Sequence, residues 1–377
     1  MKCYLDNAAT TPLSNEMKGY LLSVLDMYGN PSSSHSEGVK AKAMIEDVRN
    51  AVSQFINAKS SDEIYFTSSG SASNTLALNG YWSRVIYSPT CHKSILKAVD
   101  LLSKEHRFLA SQLKVNSCGE IDLEELEIML SENELNVLVV FEYANSEIGT
   151  IQNVKAITEL VHKYHGVVMV DCTGSISSIP LDVQDLDVDI ATFSGHKIGA
   201  LKGVGVLYKK ENIILLPLVY GSQEQGLFSG TENVLGIASL GKAIELLKYE
   251  HSTARDYVWF EIKDIDGVYL VGANTHKNRL VNNLYLCIKG VNGRELVALM
   301  DDIYDTQIST GSACNNGEPT PSSVLLAIGV PEEDIHSCIR ISFKGNETEE
   351  QLQKFCKNLR VCINILRKNM EDLLWNF

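Results

Sequence analysis

Ser194-Gly195-His196-Lys197-Ile198 is the stretch on which the reading of this chain turns. It follows a short apolar run, Ile190-Ala191-Thr192-Phe193, which itself follows an aspartate-rich turn. A strand running into a polar loop with one lysine is what a Schiff-base site requires. The strand fixes the loop, the amine attacks an aldehyde, and the neighbouring hydroxyl and imidazole can hold a phosphate. A lone lysine after a strand is as readily a solvated surface residue. Asp171, closing the run Val167-Val168-Met169-Val170, shifts that balance. A carboxylate at a strand end can pair with a pyridinium nitrogen, as the pyridoxal phosphate (PLP) design requires.

Outward from this stretch, short apolar runs alternate with helical spacing. Glu63–Phe66, Arg84–Ser88, Val137–Phe141, Val167–Asp171, Asp189–Ser194 and Val204–Lys209 read as strands. Between them, Asp122–Leu130 and Val154–His165 carry apolar residues at helical spacing. This alternation predicts an α/β fold with a mostly parallel sheet covered on both faces. In such sheets ligands sit beyond the carboxyl ends of the strands, where Asp171 and Lys197 fall. The helical stretch Asn233–Tyr249 leads to shorter strands at Val268–Val271, Asn283–Ile288, Gln307–Ser309 and Ile339–Phe343, and a last helix over Thr348–Arg367. The expected division is a large domain over 13–250 and a smaller one formed by 1–12 and 251–377.

Composition bounds the function. The chain has 377 residues, 45% of them hydrophobic and 21% charged, ordinary values for a globular protein. A net charge of −14 without a long basic run argues against direct nucleic-acid binding. No stretch approaches the ~18 consecutive apolar residues that span a bilayer, and the first residues show no signal-peptide core. A cytoplasmic protein is expected. Nine cysteines are scattered without a C-x-x-C pair, so no metal site is indicated. Most lie in apolar runs and read as small core residues. Cys314 differs, lying in the small, polar stretch Ser309-Thr310-Gly311-Ser312-Ala313-Cys314-Asn315-Asn316-Gly317.

Three further positions bear on chemistry. Thr67-Ser68-Ser69-Gly70-Ser71 follows a strand and opens the helical run Ala72–Trp82. Free N–H groups at a helix start favour a phosphate there, and a serine-rich N-cap without ligand is the plainer alternative. His92 follows a strand end and can stack on a ring and shuttle protons. Arg340 opens the strand Ile339–Phe343 and offers a fork suited to a carboxylate, or to a structural ion pair.

These signals meet in a resemblance. Ordered motifs run nearly end to end: Tyr4-Leu5-Asp6-Asn7-Ala8-Ala9-Thr10-Thr11-Pro12, Gly29-Asn30-Pro31-Ser32-Ser33-Ser34-His35, Glu147-Ile148-Gly149-Thr150-Ile151-Gln152, Ser194-Gly195-His196-Lys197, Ser229-Gly230-Thr231 and Gly311-Ser312-Ala313-Cys314. They resemble the PLP-dependent cysteine desulfurases of the IscS/NifS type, in the class V aminotransferase superfamily of fold type I. The resemblance implies a seven-stranded, mostly parallel sheet in the large domain and a smaller α+β C-terminal domain carrying the cysteine loop. It implies PLP as cofactor and L-cysteine as substrate, with sulfur passing as a Cys314 persulfide to an acceptor protein. Iron–sulfur cluster assembly, tRNA thiolation and DNA phosphorothioation are the candidate destinations. Lys197 becomes the Schiff-base lysine, Asp171 the partner of the ring nitrogen, and His92 the stacking and proton-transfer residue. Gly70, Ser71, Ser194 and His196 bind the phosphate, joined by Thr231 from the second subunit of a homodimer. Asn30, Asn145 and Arg340 orient the substrate, and Ser146 stands near the cofactor's phenolic oxygen. Other class V reactions, such as transamination or selenocysteine cleavage, and a non-catalytic PLP-binding scaffold are the alternatives.

The chain also departs from the family pattern. Ala72 replaces an acidic residue, Ser146 an asparagine and Gly174 a glutamine, while Gln225 and Phe228 replace arginines. Losing donors to the phenolic oxygen is expected to alter the lysine linkage, each such bond being worth about 1–3 kcal/mol. A working but divergent enzyme is expected.

Overall fold

The structure, a computed structural model, describes residues 3–132, 136–249, 253–274, 278–311 and 321–374. A two-residue strand, β1 (Cys3–Tyr4), precedes helices α1 (Asn15–Val24) and α2 (Ser36–Phe55). Helix α2 buries Ala41, Ile45, Val48 and Val52, a stripe at helical spacing. Next come β2 (Ile64–Thr67), α3 (Gly70–Leu78), β3 (Arg84–Tyr87), α4 (Lys93–Lys104), β4 (Leu109–Gln112), α5 (Leu123–Leu130), β5 (Val137–Glu142), α6 (Val154–Lys163), β6 (Val167–Asp171), β7 (Ile190–Ser194) and β8 (Gly205–Lys209). The remainder holds α7 (Val234–Leu246), α8 (Ala254–Ile262), β9 (Val268–Leu270), β10 (Asn283–Ile288), α9 (Gly293–Tyr304), β11 (Thr306–Gln307), α10 (Ser323–Ala327), α11 (Glu332–Ile335), β12 (Cys338–Ser342) and α12 (Glu349–Leu374).

Seven strands form one sheet in the order β2-β8-β7-β6-β5-β3-β4, and only β8 runs antiparallel to its neighbours. The α/β expectation holds, with the central strands buried on both faces as a helix-covered parallel sheet demands. Strand β4 was not legible as one: Leu-Ala-Ser-Gln lacks an apolar run because it is the exposed edge of the sheet. A smaller antiparallel sheet has the order β12-β10-β9. The N-terminal strand joins this second unit, since β1 pairs with β11 and Asp6 bridges to Ser342 beside it. Leu5 is fully buried in the apolar cluster formed with Val258, Leu284, Ile341 and Leu359.

One ion pair ties the sheet's edge to the segment that carries Thr231. Arg49, on α2, donates to both oxygens of Glu224 at 2.9 Å and to the Ile64 carbonyl at 2.7 Å. Glu224 in turn accepts from the Phe66 N–H at 2.8 Å, and the guanidinium lies 4.8 Å above the Phe66 ring centre. Arg49 is half-buried and keeps Glu46 at 3.3 Å, so removing Glu224 leaves it partly paired. We therefore expect Glu224→Ala to lose about 1–3 kcal/mol of stability, measured by chemical denaturation. Pairing it with Arg49→Met is expected to recover a large part of that loss.

Candidate active site

Asp171 ends β6 and Ser194 ends β7, so a polar rim forms where these parallel strands finish. Asp171 accepts from the Thr173 N–H at 2.9 Å and from the Asn74 amide at 2.8 Å. Asn74 lies one turn into α3, where it also accepts from the Thr192 hydroxyl and donates to the Ser94 oxygen at 3.0 Å. The Ser94 hydroxyl lies 2.8 Å from His92 Nδ1, and the Ser94 N–H donates to the same nitrogen at 3.2 Å. A continuous hydrogen-bonded chain thus links Asp171 to His92. It occupies His92 Nδ1 and leaves the exposed Nε2 edge for a ligand.

Helix α3 starts beside the same rim. A Cβ on Gly70 would come within 3.2 Å of the Ser194 Cβ and 3.3 Å of the Thr173 hydroxyl, so glycine lets the helix start lie against both. The Ser69 hydroxyl caps the helix by accepting from the Ala72 N–H at 3.1 Å, and Ser71 is exposed next to it. The Thr173 hydroxyl is buried without a protein partner.

Lys197 is half-buried, and its amine donates to the carbonyl oxygens of Ala8 and, at 3.0 Å, Ala9. The N-terminal segment therefore closes over the lysine, held by the Thr11 hydroxyl donating to the His196 carbonyl at 2.8 Å. Burial first, and the positive Arg340 second, lower the Lys197 pKa to about 8 against the pull of Asp171 and Asp6. His196 sits 3.0 Å from the Thr10 hydroxyl and is pushed down to about 4, chiefly by burial and then by Lys197. It is neutral at pH 7.

Arg340 is 4% exposed. Its Nη1 donates to the Ser146 carbonyl at 3.1 Å, its Nη2 to Asp6 at 2.8 Å, and its Nε has no protein partner. Asn7, 6% exposed, likewise leaves its side-chain oxygen unpaired. A cavity of about 20 Å³ beside Lys197 is lined by Asn7, Ser146 and Thr173, and a larger one of about 260 Å³ opens between Asn7, Lys197, Phe343 and α7. Glu147 is half-buried here. It accepts from the Ser322 hydroxyl at 2.6 Å, and burial raises its pKa.

The structure thus brings Gly70, Ser71, His92, Ser146, Asp171, Ser194, His196, Lys197 and Arg340 to one region of the molecule. For three further expected residues the contacts within this chain are these. The Asn145 side chain is spent inside the protein: it donates to the Thr90 carbonyl of the loop after β3 at 2.9 Å and to Glu142 at 3.1 Å, and accepts from the N–H groups of Glu147 and Ile148. Its geometry positions Ser146 and leaves no atom free for a substrate. Asn30 is exposed, its oxygen taken by the Ser32 N–H at 2.9 Å. Thr231 is exposed on a groove it shares with Thr67 and Ser68. Cys314 lies outside the described residues.

The departures from the family pattern acquire physical reasons. A Cβ at Gly174 would meet the Ala144 carbonyl at 2.4 Å, so a glutamine does not fit this backbone. Gln225 accepts from the Tyr65 hydroxyl at 2.9 Å and donates to the Asp62 carbonyl at 3.2 Å, bonds that hold the segment before Thr231. Sequence reasoning missed Asn74, Thr192 and Ser94. Their signal was polarity at positions where α3, β7 and α4 must be buried.

The comparisons agree with this geometry. Residues 3–355 match the class V aminotransferase model, and the chain belongs to that family. It is 37% identical to a cysteine desulfurase IscS of Dictyoglomus turgidum over 97% of this chain and 95% of the relative. It is 34% identical to cysteine desulfurase IscS 1 of Archaeoglobus fulgidus over 97% of each. Among solved structures, a NifS-like protein superposes with a TM-score of 0.88 at 31% identity, covering 97% of this chain and all (100%) of that one. A structure titled "SspA in complex with cysteine" matches with a TM-score of 0.79 at 29% identity, over 92% of this chain and 100% of the other. The protein is thus a homologue of the cysteine desulfurases, in a family that uses PLP. Among the described residues no helix is long and apolar enough to cross a membrane.

The depressed Lys197 pKa makes a testable prediction. Below about 8 the amine is protonated and unreactive, and above it the free amine dominates. An aldehyde probe trapped on Lys197 by borohydride in cofactor-free protein should therefore be half-maximal near pH 8. Arg340→Gln should move the midpoint up by removing a repelling charge, and Asp171→Asn should move it down.

Proposed function

We propose that this protein is a cysteine desulfurase that converts L-cysteine to L-alanine and takes the sulfur as a persulfide on Cys314 for delivery to an acceptor protein. One observation carries the reading. Arg340 is strand-paired with Ser309, whose N–H donates to the Arg340 carbonyl at 3.1 Å, and Tyr285 donates to the Thr310 carbonyl at 3.0 Å. The arginine suited to the substrate carboxylate and the stretch that leads to Cys314 therefore share one backbone ladder. The NifS-like fold and the cysteine-bound relative support the same substrate.

The residues present fit PLP. The unpaired Thr173 hydroxyl, the cradle left by Gly70 and the carboxylate of Asp171 offer a phosphate donor, room and a ring-nitrogen partner. When bound, the cofactor supplies an electron sink for the substrate's carbons and an aldehyde that Lys197 can hold. Gly70, Ser71, Ser194 and His196 would hold its phosphate, with Thr231 contributed by the second subunit of a homodimer. His92, steadied through Ser94, would stack on the ring and carry protons at Nε2, while Ser146 would lie near the phenolic oxygen. Arg340 would bind the substrate carboxylate through the unpaired Nε, with Asp6 holding the rest of the guanidinium in place. Asn30 is assigned to the same carboxylate, from its exposed loop. The Cys314 thiolate would attack the substrate sulfur, the carbon–sulfur bond breaking as the sulfur–sulfur bond forms. The cytoplasm, where free thiols persist, is the compartment this chemistry fits.

Purified protein given L-cysteine and a reductant should release sulfide and alanine in equal amounts. Cys314→Ser should abolish both products while keeping the yellow of bound cofactor, and Lys197→Ala should abolish turnover. Turnover unaffected by the serine would instead mark another class V reaction. A yellow wild type without turnover would mark a scaffold.

A further inference from the structure

Two cysteines outside the active site face each other. Cys287 on β10 and Cys338 on β12 are register partners in an antiparallel pair. The adjoining Ile288 N–H donates to the Ser337 carbonyl at 2.9 Å. Hydrogen-bonded and non-hydrogen-bonded pairs alternate along such a ladder, so Cys287 and Cys338 occupy a non-hydrogen-bonded position. There the Cα atoms are about 4.5 Å apart and the side chains approach most closely. That separation lies within the range a disulfide spans. Both thiols are reduced and buried, at 0% and 1% exposure. Both thiols donate to the Asp334 carbonyl, Cys287 at 3.7 Å and Cys338 at 3.3 Å. The facing Cys338 thiol lowers the Cys287 pKa, so Cys287 is the member assigned as nucleophile. Tyr269 is fixed by donating to Asp334 at 2.8 Å.

We propose that Cys287 and Cys338 are a reversible oxidation site that closes to a cross-strand disulfide under peroxide. The Cys287 thiolate attacks one peroxide oxygen and the O–O bond breaks. The sulfur becomes a sulfenic acid, and the departing hydroxide takes a proton to leave as water. The Cys338 sulfur then attacks the sulfenic sulfur, the S–O bond breaks, and a second water leaves with the Cys338 proton. Two thiols and one peroxide thus give one disulfide and two waters. Peroxide would reach the pair by local opening of the four-residue helix α11, whose Asp334 carbonyl accepts from both thiols. The site is placed to matter. Tyr285 and Arg340 are the next non-hydrogen-bonded pair along the same ladder, on the face of the cysteines. A disulfide here would clamp the strands that hold the arginine and, through Tyr285, Thr310.

The test uses Cys314→Ser protein, so that the exposed thiol of the proposed reaction does not report. After hydrogen peroxide treatment, quenching and alkylation under denaturing conditions, peptide mass spectrometry should show the segments around Cys287 and Cys338 joined with the loss of two hydrogens. The melting temperature should rise, because the cross-link restrains the unfolded chain. Dithiothreitol should reverse both changes, and Cys287→Ser and Cys338→Ser should each prevent them. Recovery of both cysteines alkylated overturns the proposal. So does oxidation of either beyond the sulfenic state, or a disulfide to a different cysteine.

Discussion

Desolvating the amine of the half-buried Lys197 is the constraint on which the active region depends. A charged ammonium away from water is costly unless acceptors surround it, and in this chain the acceptors are two main-chain carbonyls of the N-terminal segment, those of Ala8 and Ala9. That segment can reach the lysine only because Leu5 is packed among the apolar residues of the smaller sheet and Asp6 bridges to Ser342. The same placement brings Asp6 onto Arg340, and Arg340 in turn lowers the lysine's pKa. One chain segment thus joins the two sheets, satisfies the amine and sets the charge around it. The amine pays for its burial with a weakened hold on its proton, which is the property a nucleophilic lysine requires.

The second organising element is the chain of hydrogen bonds from Asp171 through Asn74 and Ser94 to His92. Its members come from β6, α3 and α4, three elements that meet only because β6 lies inside the sheet and both helices begin near the ends of their strands. A buried polar network of this sort is stabilising only when each group is satisfied. Here Thr192 supplies the hydrogen bond that Asn74 would otherwise lack at its carbonyl oxygen. The Gly174 position shows the opposite economy: the backbone lies so close to the Ala144 carbonyl that a side chain there would be expelled. The absent glutamine is therefore built into the course of the backbone, and restoring the residue alone would not restore its hydrogen bond.

Much of this was legible from residues. The runs around Val137, Val167 and Ile190 are apolar on both faces, and they became the central strands of the sheet. The Lys197 loop and Asp171 fell at strand ends as their neighbours implied. What stayed hidden was of two kinds. Edge strand β4 and the early helices α1 and α2 lack a strong apolar run, because one side of each faces water. The polar partners Asn74, Thr192 and Ser94, and the intramolecular role of Asn145, depend on which elements meet in space. Spacing along one chain does not encode that. Asn145 is instructive because its place in a motif suggested a substrate ligand, while its amide makes four hydrogen bonds within the protein, one of them to the Thr90 carbonyl of another loop.

The cysteines show how the same residue type is sorted by environment. Cys91 and Cys172 adjoin His92 and Asp171 in sequence. Both are buried, and burial drives each thiol well above its ordinary pKa, so neither presents a thiolate. Cys3, Cys356 and Cys362 are raised in the same way by burial in the smaller unit. Cys287 is held below its usual value, but by a thiol that faces it across the ladder, so its natural reaction is with Cys338. A thiol that must meet a substrate sulfur and afterwards an external acceptor cannot be packed inside a sheet. This requirement sets the buried cysteines aside on physical grounds.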